Sequence, residues 1–486
     1  MIAKIIRSGL AICLLAGLGL SALPASAAAQ SEITTTLADQ TGVAVTIYNR
    51  NLALVKDRRT LTLPAGEVRL AFREVSARIR PETALFNGSG LSVIEQNFEF
   101  DLLTPKALLQ KFVGREVEVI RSHPTTGQES REKATVLSAN QGVVLKFADH
   151  HIETGVPGRL SFSGVPENLR DRPTLTMLVN NRKAGSKKVE LSYLTSGLKW
   201  KADYVAELNA KDNALNLNGW VTLTNTSGAT YRNARLQLVA GDVNQVQEEV
   251  EFSRDTMRMA KNMAMAPQPA MAQEEMFEYH LYTLGRPTTI ADRQTKQVAL
   301  LQAAAVPCRK EFVVRGRRYY YRQTALRSPE GEKEKIGVFV RVDNRKENHL
   351  GIPLPKGVVR VYKEDSKGAL QFIGEDRIDH TPENEVIRLK LGEAFDLTAR
   401  RRQTDFQKIS GDRNHSYIYE AAFTIELKNA KAEAATIKVI EPIPGEWKIL
   451  EESQPHTRPV SATAVWQVKV PAKGKKVLSY RVRVKM

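Results

Sequence analysis

Four methionines carry the clearest metal-binding chemistry in the chain. They form two M-x-M pairs, Met257 with Met259 and Met263 with Met265. Thioether sulfur is a soft ligand that suits Cu(I). The pairs therefore raise the hypothesis of a copper-handling loop, and the alternative is a flexible low-complexity segment that docks weakly on a partner.

A run of three arginines could bind an anion. Arg400, Arg401 and Arg402 are consecutive, in a stretch that we interpret as a loop. Guanidinium groups recognise phosphate and carboxylate through paired hydrogen bonds. Charged residues usually lie at the surface, so a simply solvated basic run is the competing interpretation.

Histidines lie beside acidic residues in three short stretches, 149–153, 379–380 and 412–415. On a strand, the neighbours His150 and His151 would point to opposite faces and could not easily share an ion. A surface loop is therefore the preferred interpretation of the first stretch. The other two lack the serine elbow, the H-E-x-x-H motif or the cysteine–histidine arrangement of known hydrolytic sites. The sequence thus predicts no catalytic residue and no cofactor, and does not decide whether the protein is an enzyme.

Four tryptophans could stack on sugars: Trp200, Trp220, Trp447 and Trp466. All except Trp447 lie within alternating apolar and polar patterns, which predicts core or half-buried positions for them. Trp447 follows a Pro-Gly turn, so we expect it to be the exposed one.

The elements that must position these residues are strands. Apolar and polar residues alternate through most of 189–244, and turn-prone clusters separate the runs. This pattern is typical of half-buried antiparallel strands. We expect residues 175–179 and 189–193 to pair as a hairpin. Thr104 followed by Pro105 predicts a helix start, since threonine caps helices and proline suits the first helical turn.

The predicted fold class is all-β, with tandem antiparallel β-sandwiches of immunoglobulin type, a small inserted SH3-like barrel and a short helix. A chain of 486 residues is long enough for several such units. The expected segments are an N-terminal sandwich (30–102 plus 166–196), the inserted barrel with its leading helix (103–165), a central sandwich (197–326) that contains a methionine-rich insert (245–276), and a C-terminal immunoglobulin-like sandwich (336–486).

The first 29 residues have the features of a secretory signal peptide. Lys4 and Arg7 precede an apolar stretch that is too short to span a bilayer comfortably, and a small-residue cleavage site lies near Ala27–Ala29. No other stretch is apolar enough to predict a transmembrane segment. The sequence therefore predicts a periplasmic or secreted protein.

Charge and cysteine content limit the possible partners. The formal net charge is +17, which attracts anionic surfaces. The charges are spread along the chain, so a simply solvated basic surface is the preferred interpretation. Outside the cytoplasm, the anionic partner would be an envelope protein or an anionic polysaccharide rather than nucleic acid. Cys308 is the single cysteine after the predicted signal peptide, so we expect it to be buried and inert.

Several separated motifs, in order along the chain, resemble the bacterial family known as domain of unknown function 4139. They lie in residues 219–244, 278–282, 288–290, 295–297, 350–357, 372–375 and 466–484. The resemblance implies an exported, β-rich envelope protein and supplies no reaction. Relatives described as mucoidy-inhibitor-like carry a long helical coiled coil near the N-terminus. This chain has the predicted small barrel in its place, which weakens any transfer of their role.

Three functions are therefore open at the level of sequence. The leading hypothesis is a non-enzymatic cell-envelope protein that acts as a binding or structural module. The alternatives are an envelope hydrolase or carbohydrate-active enzyme with an interdomain site, and a Cu(I)-handling protein. Two carboxylates about 5–9.5 Å apart in a pocket would favour the enzyme.

Overall fold

The chain folds into antiparallel sheets stacked in pairs. The structure is a computed structural model, and it describes residues 32–99, 103–140, 142–155, 158–166, 169–241, 243, 271–276, 279–321, 330–410 and 417–486. Strands make up about 65% of it and helices about 5%. The predicted all-β class is confirmed.

In the first part of the chain, burial alternates most regularly along Gln40–Tyr48 and Leu52–Leu63, as in half-buried strands. The elements of this part are β1 (Ile33–Thr35), β2 (Gln40–Tyr48), β3 (Leu52–Leu63), β4 (Gly66–Arg73), β5 (Leu85–Gly88), β6 (Leu91–Glu99), α1 (Pro105–Lys111), β7 (Glu116–Ser122), β8 (Glu129–Ser138), β9 (Val144–Phe147), β10 (Ile152–Thr154) and β11 (Arg159–Ser161). The elements of the middle part are β12 (Thr174–Asn181), β13 (Gly185–Thr195), β14 (Leu198–Leu208), β15 (Ala214–Asn225), β16 (Tyr231–Ala240), β17 (Ala272–Met276), β18 (Tyr279–Thr283), β19 (Thr288–Ile290) and β20 (Gln294–Arg315).

The last part of the chain continues with twelve strands. They are β21 (Glu332–Glu334), β22 (Gly337–Asp343), β23 (Gly357–Glu364), β24 (Leu370–Ile378), β25 (Val386–Glu393), β26 (Leu397–Ser410), β27 (Tyr417–Asn429), β28 (Ala435–Pro442), β29 (Glu446–Glu452), β30 (Thr457–Val460), β31 (Thr463–Val470) and β32 (Lys475–Lys485). Short 3-10 turns lie at Leu37–Asp39, Pro81–Thr83, Arg318–Tyr321 and Lys346–Asn348.

Two sheets enclose the N-terminal part of one hydrophobic core, which we call the first core. One has the order β1-β4-β12-β6, and the other has the order β17-β18-β16-β2-β3-β13-β5. The predicted hairpin between 175–179 and 189–193 is wrong, because β12 pairs with β4 and β6 while β13 pairs with β3 and β5. Both strands are buried and have two neighbours each, so the chain crosses between the sheets instead of turning within one.

The inserted segment is a separate small sheet with its own core. Its strands follow the order β10-β9-β8-β7-β11, and the pairings of the described residues leave this sheet open rather than closed like the predicted SH3-like barrel. The edge strands β10 and β11 are three residues each, too short to complete a ring of hydrogen bonds. The predicted helix is confirmed as α1, where the side chain of Thr104 accepts a hydrogen bond from the backbone N–H of Ala107.

The central sandwich consists of two layers joined by the long strand β20. The first half of β20 pairs with β15, which continues the layer β24-β23-β14-β15. Its second half pairs with β22, and β22 pairs with β25. The inner faces meet around an apolar cavity of about 20 Å³, which is lined by Tyr204 and Leu217 from the first layer and by Val342 and Leu389 from the second.

The C-terminal sandwich has a separate core. One sheet has the order β21-β26-β27-β32-β29, and the other contains β28, β31 and β30 next to the end of β20. Trp466 and Phe423 lie in this core, whereas Val340 and Ile387 belong to the first core. The strands of 337–393 thus complete the central sandwich, and the expected division of the chain into domains stays a prediction.

Candidate anion-binding surface

Several of the predicted site residues lie outside the described part of the chain. These are Met257, Met259, Met263 and Met265, together with the acidic and histidine residues of 412–415. The predicted signal peptide, residues 1–29, also lies outside it. The copper hypothesis therefore stays a prediction.

The predicted arginine run lies on a strand, not in a loop. Arg400, Arg401 and Arg402 belong to β26, so their side chains alternate between the two faces of the sheet. Arg400 is exposed and forms an ion pair with Glu330 at 3.3 Å. Arg402 is also exposed. Arg401 is fully buried, so the run does not present three guanidinium groups to one ligand.

Arg401 is the centre of a buried polar network. Its Nη2 lies 2.5 Å from Oε1 of Glu441, and its Nε donates to Glu334 at 2.8 Å. The hydroxyl of Tyr321 donates to Glu441 at 2.7 Å. Burial raises the pKa of Glu441, although the neighbouring Arg401 favours its charged form. Gly316 is required here, since a Cβ at that position would lie 2.1 Å from Oε2 of Glu441.

This network stabilises the fold rather than forming an open site. Arg401 comes from β26 and Glu441 from β28, so the pair joins the two facing sheets of the C-terminal sandwich. Both side chains are fully buried. Breaking a buried ion pair by removing one partner costs about 3–5 kcal/mol, because the other charge is left unpaired.

The histidine stretch near residue 150 forms ion pairs at the surface of the inserted sheet. The ring Nδ1 of His151 contacts the carboxylate of Asp149, and Nε2 lies 3.4 Å from Glu153. The hydrogen bond with Asp149 raises the pKa of His151. Glu153 also accepts a hydrogen bond from Arg121 at 2.7 Å. His151 precedes β10, and the preferred interpretation as a surface loop is confirmed.

The tryptophans divide into core and surface residues. Trp466 is fully buried, and Trp200 and Trp220 are half-buried, as predicted. The expectation that Trp447 is exposed is wrong, since it is only 6% exposed. Its indole N–H donates to the carbonyl of Ser461 at 2.7 Å, and the guanidinium of Arg458 covers its ring at 4.2 Å.

Cys308 is buried as expected. It faces the interior of the central sandwich from β20, opposite Val342 on β22. Burial raises the pKa of its thiol to about 11. A buried thiol of this kind is unreactive at neutral pH.

The outer face of the second central layer carries a row of three arginines. Arg309 on β20 is directly opposite Arg341 on β22, and Arg341 is directly opposite Arg388 on β25. Directly opposed side chains on neighbouring strands have their Cβ atoms about 5 Å apart. We call these three residues the arginine row.

Carboxylates only partly neutralise the arginine row. Arg341 donates to Oδ1 of Asp343 at 3.1 and 3.0 Å. Arg388 forms an ion pair with Glu311 at 3.1 Å. Arg309 is exposed and has no acidic partner within the described ranges. Like charges directly opposed across strands are unfavourable, so an anion from outside the protein would relieve the repulsion.

Sequence reasoning missed the arginine row because its members are far apart in the chain. Each one occupies an outward position in an alternating stretch, where a single arginine is an ordinary surface residue. Their proximity depends on the register of β20, β22 and β25. The available signal was weak: an outward arginine in each of three apolar strands.

The fold and this surface define a class: an all-β protein of stacked sandwiches with a basic, solvent-facing sheet. No helix in the described ranges is both long enough and apolar enough to cross a membrane. The family model described as a domain of unknown function (DUF4139) matches residues 189–486, and the chain belongs to this family. No curated protein matches the chain.

Proposed function

We propose that the protein is a non-enzymatic, exported envelope protein that binds an anionic polysaccharide through the arginine row. The observation that carries the proposal is the direct opposition of Arg309, Arg341 and Arg388 across three neighbouring strands. Guanidinium groups pair with carboxylates through two parallel hydrogen bonds. A polymer with a carboxylate on each sugar can contact the three arginines at once.

The spacing of the row suits a repeating ligand better than a single small anion. Neighbouring strands are about 4.8 Å apart, so the outer two arginines are separated by about 10 Å. One small anion cannot bridge that distance, whereas linked carboxylates can. Several weak contacts from one polymer can also give strong overall binding, because every contact after the first forms within an existing complex.

The proposed export supports a polysaccharide as the partner. The predicted signal peptide favours a partner among the polymers of the envelope, and the net charge of +17 over the whole sequence favours acidic ones. The basic charge thus acts at long range, where the whole surface attracts the polymer, and in direct contact, where the arginine row binds it.

The two cavities described give no support to the hydrolase alternative. The cavity of about 20 Å³ in the central sandwich is lined by apolar residues and Tyr204. An open groove of about 510 Å³ beside α1 is lined by apolar residues with Lys106 and Asn140. Neither lining contains a carboxylate, and a glycoside hydrolase normally needs two.

The test measures binding of the full-length protein to immobilised polygalacturonate, with dextran as the uncharged probe. The triple variant R309A/R341A/R388A is expected to bind polygalacturonate at least about tenfold more weakly, since three surface charge contacts together contribute about 1–3 kcal/mol. Dextran should not bind through this surface.

A matched control removes the same charge elsewhere. Arg58, Arg131 and Arg159 are exposed arginines in surface ion pairs on other sheets. The variant R58A/R131A/R159A should keep polygalacturonate affinity within about twofold. Equal losses in both triple variants would show that only net charge matters, and an unchanged affinity in R309A/R341A/R388A would refute the proposed surface.

A further inference from the structure

The outer face of the first central layer differs in composition from the arginine row on the opposite side of the same sandwich. Along β15, the half-buried Asn218, Trp220 and Thr222 point outward, while Leu217 and Val221 are buried. Strand pairing places the outward residues of β14, β23, β24 and the first half of β20 on the same side of the sheet as these three residues. We call the outer surface formed by these five strands the amide face.

The charges around Asp203 on the amide face are paired with one another. Asp203 is only 7% exposed and accepts hydrogen bonds from Thr222 at 2.7 Å and from Arg360 at 3.2 Å. Lys201 also contacts Asp203 at 3.3 Å. The Nε atom of Arg360 lies 3.2 Å from the carboxylate of Glu375. The charges of Lys201, Asp203, Arg360 and Glu375 balance, so a ligand that contacts only this part of the face has no net charge to neutralise.

Two side-chain amides lie together with their hydrogen-bonding groups unused. Asn218 on β15 is directly opposite Gln302 on β20, and Val205 on β14 is directly opposite Asn218 on the other side. Among the residues that the structure describes, neither amide has a hydrogen-bond partner. Each amide offers both a donor and an acceptor to a ligand.

Trp220 provides a flat apolar surface next to these amides. It lies two residues from Asn218 on the same face, and the residue directly opposite it on β20 is Ala299. Trp220 is half-buried, so part of its indole ring faces solvent beside this small alanine. No acceptor for the indole N–H lies within the described ranges, so the ring presents an apolar face and a free donor.

We propose that the amide face binds an uncharged oligosaccharide of pyranose units. The C–H face of a pyranose ring can cover the indole of Trp220, while neighbouring hydroxyl groups, which both donate and accept, can satisfy Asn218 and Gln302. The internal pairing of Lys201 and Arg360 with Asp203 and Glu375 leaves no excess charge in this part of the face to select an acidic sugar. Binding sites for small ligands combine apolar and aromatic surface with a few polar groups in this way.

This site is independent of the arginine row and goes beyond the proposed function. The two faces lie on opposite sides of one sandwich, because the inner faces of the two layers pack against each other. A molecule that uses both faces joins an acidic polymer on one side to a neutral polymer on the other.

The test is isothermal titration of the full-length protein with three uncharged hexasaccharides, of glucose in β-1,4 linkage, of glucose in α-1,4 linkage and of N-acetylglucosamine in β-1,4 linkage. At least one should bind, and Trp220→Ala should weaken that binding about tenfold or more. Trp220→Phe keeps a flat ring and should retain most of the affinity. The double variant N218A/Q302A removes both amides and should also weaken binding.

Matched controls separate this site from general surface effects. Phe395 is an aromatic residue that is 95% exposed on a turn, and Gln467 is an exposed amide on β31. The variants F395A and Q467A should bind the hexasaccharide like the wild type, and thermal unfolding should show that all variants are folded.

Two results would overturn the inference: no binding of any of the three hexasaccharides by the wild type, or unchanged binding in both Trp220→Ala and N218A/Q302A. The arginine variant R309A/R341A/R388A should bind the hexasaccharide normally, and Trp220→Ala should bind polygalacturonate normally. The two binding proposals can therefore be refuted separately.

Discussion

The two outer faces of the central sandwich use the same architecture with opposite charge patterns. On the amide face, Asp203 lies between Lys201 and Arg360, and Arg360 also pairs with Glu375. On the other face, Arg309, Arg341 and Arg388 are directly opposed. Strand β20 contributes to both faces. The difference teaches that charge complementarity within a sheet depends on which strands are neighbours.

The arginine row places like charges where a fold under selection for stability alone would avoid them. Directly opposed like charges destabilise a sheet, whereas opposite charges contribute roughly 0.2–1 kcal/mol per pair. The amide face follows the favourable rule. The arginine row departs from it, and such departures are typical of functional surfaces.

The largest effect is expected from moving the arginine row to the opposite face. Val205, Asn218 and Gln302 are directly opposed across β14, β15 and β20, in the same arrangement as the three native arginines. In the R309A/R341A/R388A background, V205R/N218R/Q302R should restore polygalacturonate binding, to within about tenfold of the wild-type affinity. Affinity for immobilised polygalacturonate is the measurement.

A control for this transfer adds three arginines at positions that are not opposed to one another. Thr62, Gln96 and Thr457 are exposed strand residues on different sheets. The variant T62R/Q96R/T457R in the same background should not restore binding. If it does, net charge explains the affinity and the register of the strands is irrelevant.

A smaller effect is expected when the internal pairing of the amide face is broken. Asp203→Asn removes the carboxylate that Arg360 and Lys201 share. Lys201 then lacks an acidic partner and Arg360 keeps only Glu375, so the amide face should gain polygalacturonate affinity by a few-fold in the R309A/R341A/R388A background. Losing charged hydrogen bonds of a buried group should also lower the free energy of unfolding by about 1–3 kcal/mol.

The control for Asp203→Asn is Asp171→Asn. Asp171 is an exposed partner of Arg73 on another sheet, and its side chain is 59% exposed. This change should alter neither stability nor polymer binding by a measurable amount, since exposed ion pairs contribute little. Chemical denaturation and the polygalacturonate assay decide the outcome, and equal effects of the two variants would contradict the role given to Asp203.

The sequence predicted the strands and their buried faces well, because alternation is a local property. The burial of Leu217 and Val221 and the outward position of Trp220 follow directly from it. The cap at Thr104 predicted the helix for the same reason. Strand pairing was harder: β12 and β13 are consecutive yet lie in different sheets, since alternation does not identify a strand's neighbours.

The candidate site shows the same limit. Three consecutive arginines at 400–402 suggested an anion site, but the strand turns Arg401 into the core, where Glu441 already pairs with it. The arginine row has no signature in the sequence, because its members come from three strands that only the fold brings together. The expectation that Trp447 is exposed was wrong because Trp447 lies on β29, where its burial depends on tertiary contacts.

The smallest effect concerns stability and compares matched positions on the two faces. Arg309→Ala removes one charge opposite Arg341, so at low salt it should raise the free energy of unfolding by about 0.2–1 kcal/mol. High salt screens the repulsion and should remove most of the gain. Urea unfolding at low and high ionic strength is the measurement.

Two controls make this small change interpretable. Arg315 is exposed on the same strand, but its direct neighbour on β28 is the uncharged Ile440, so Arg315→Ala should give no salt-sensitive gain. Gln302→Ala, which removes an uncharged side chain from the amide face, should also leave stability nearly unchanged. A gain in Arg315→Ala equal to that in Arg309→Ala would attribute the effect to net charge. Destabilisation by Arg309→Ala at low salt would mean that the packing of its aliphatic stem outweighs the repulsion, because arginine stems bury apolar surface even when the guanidinium is exposed.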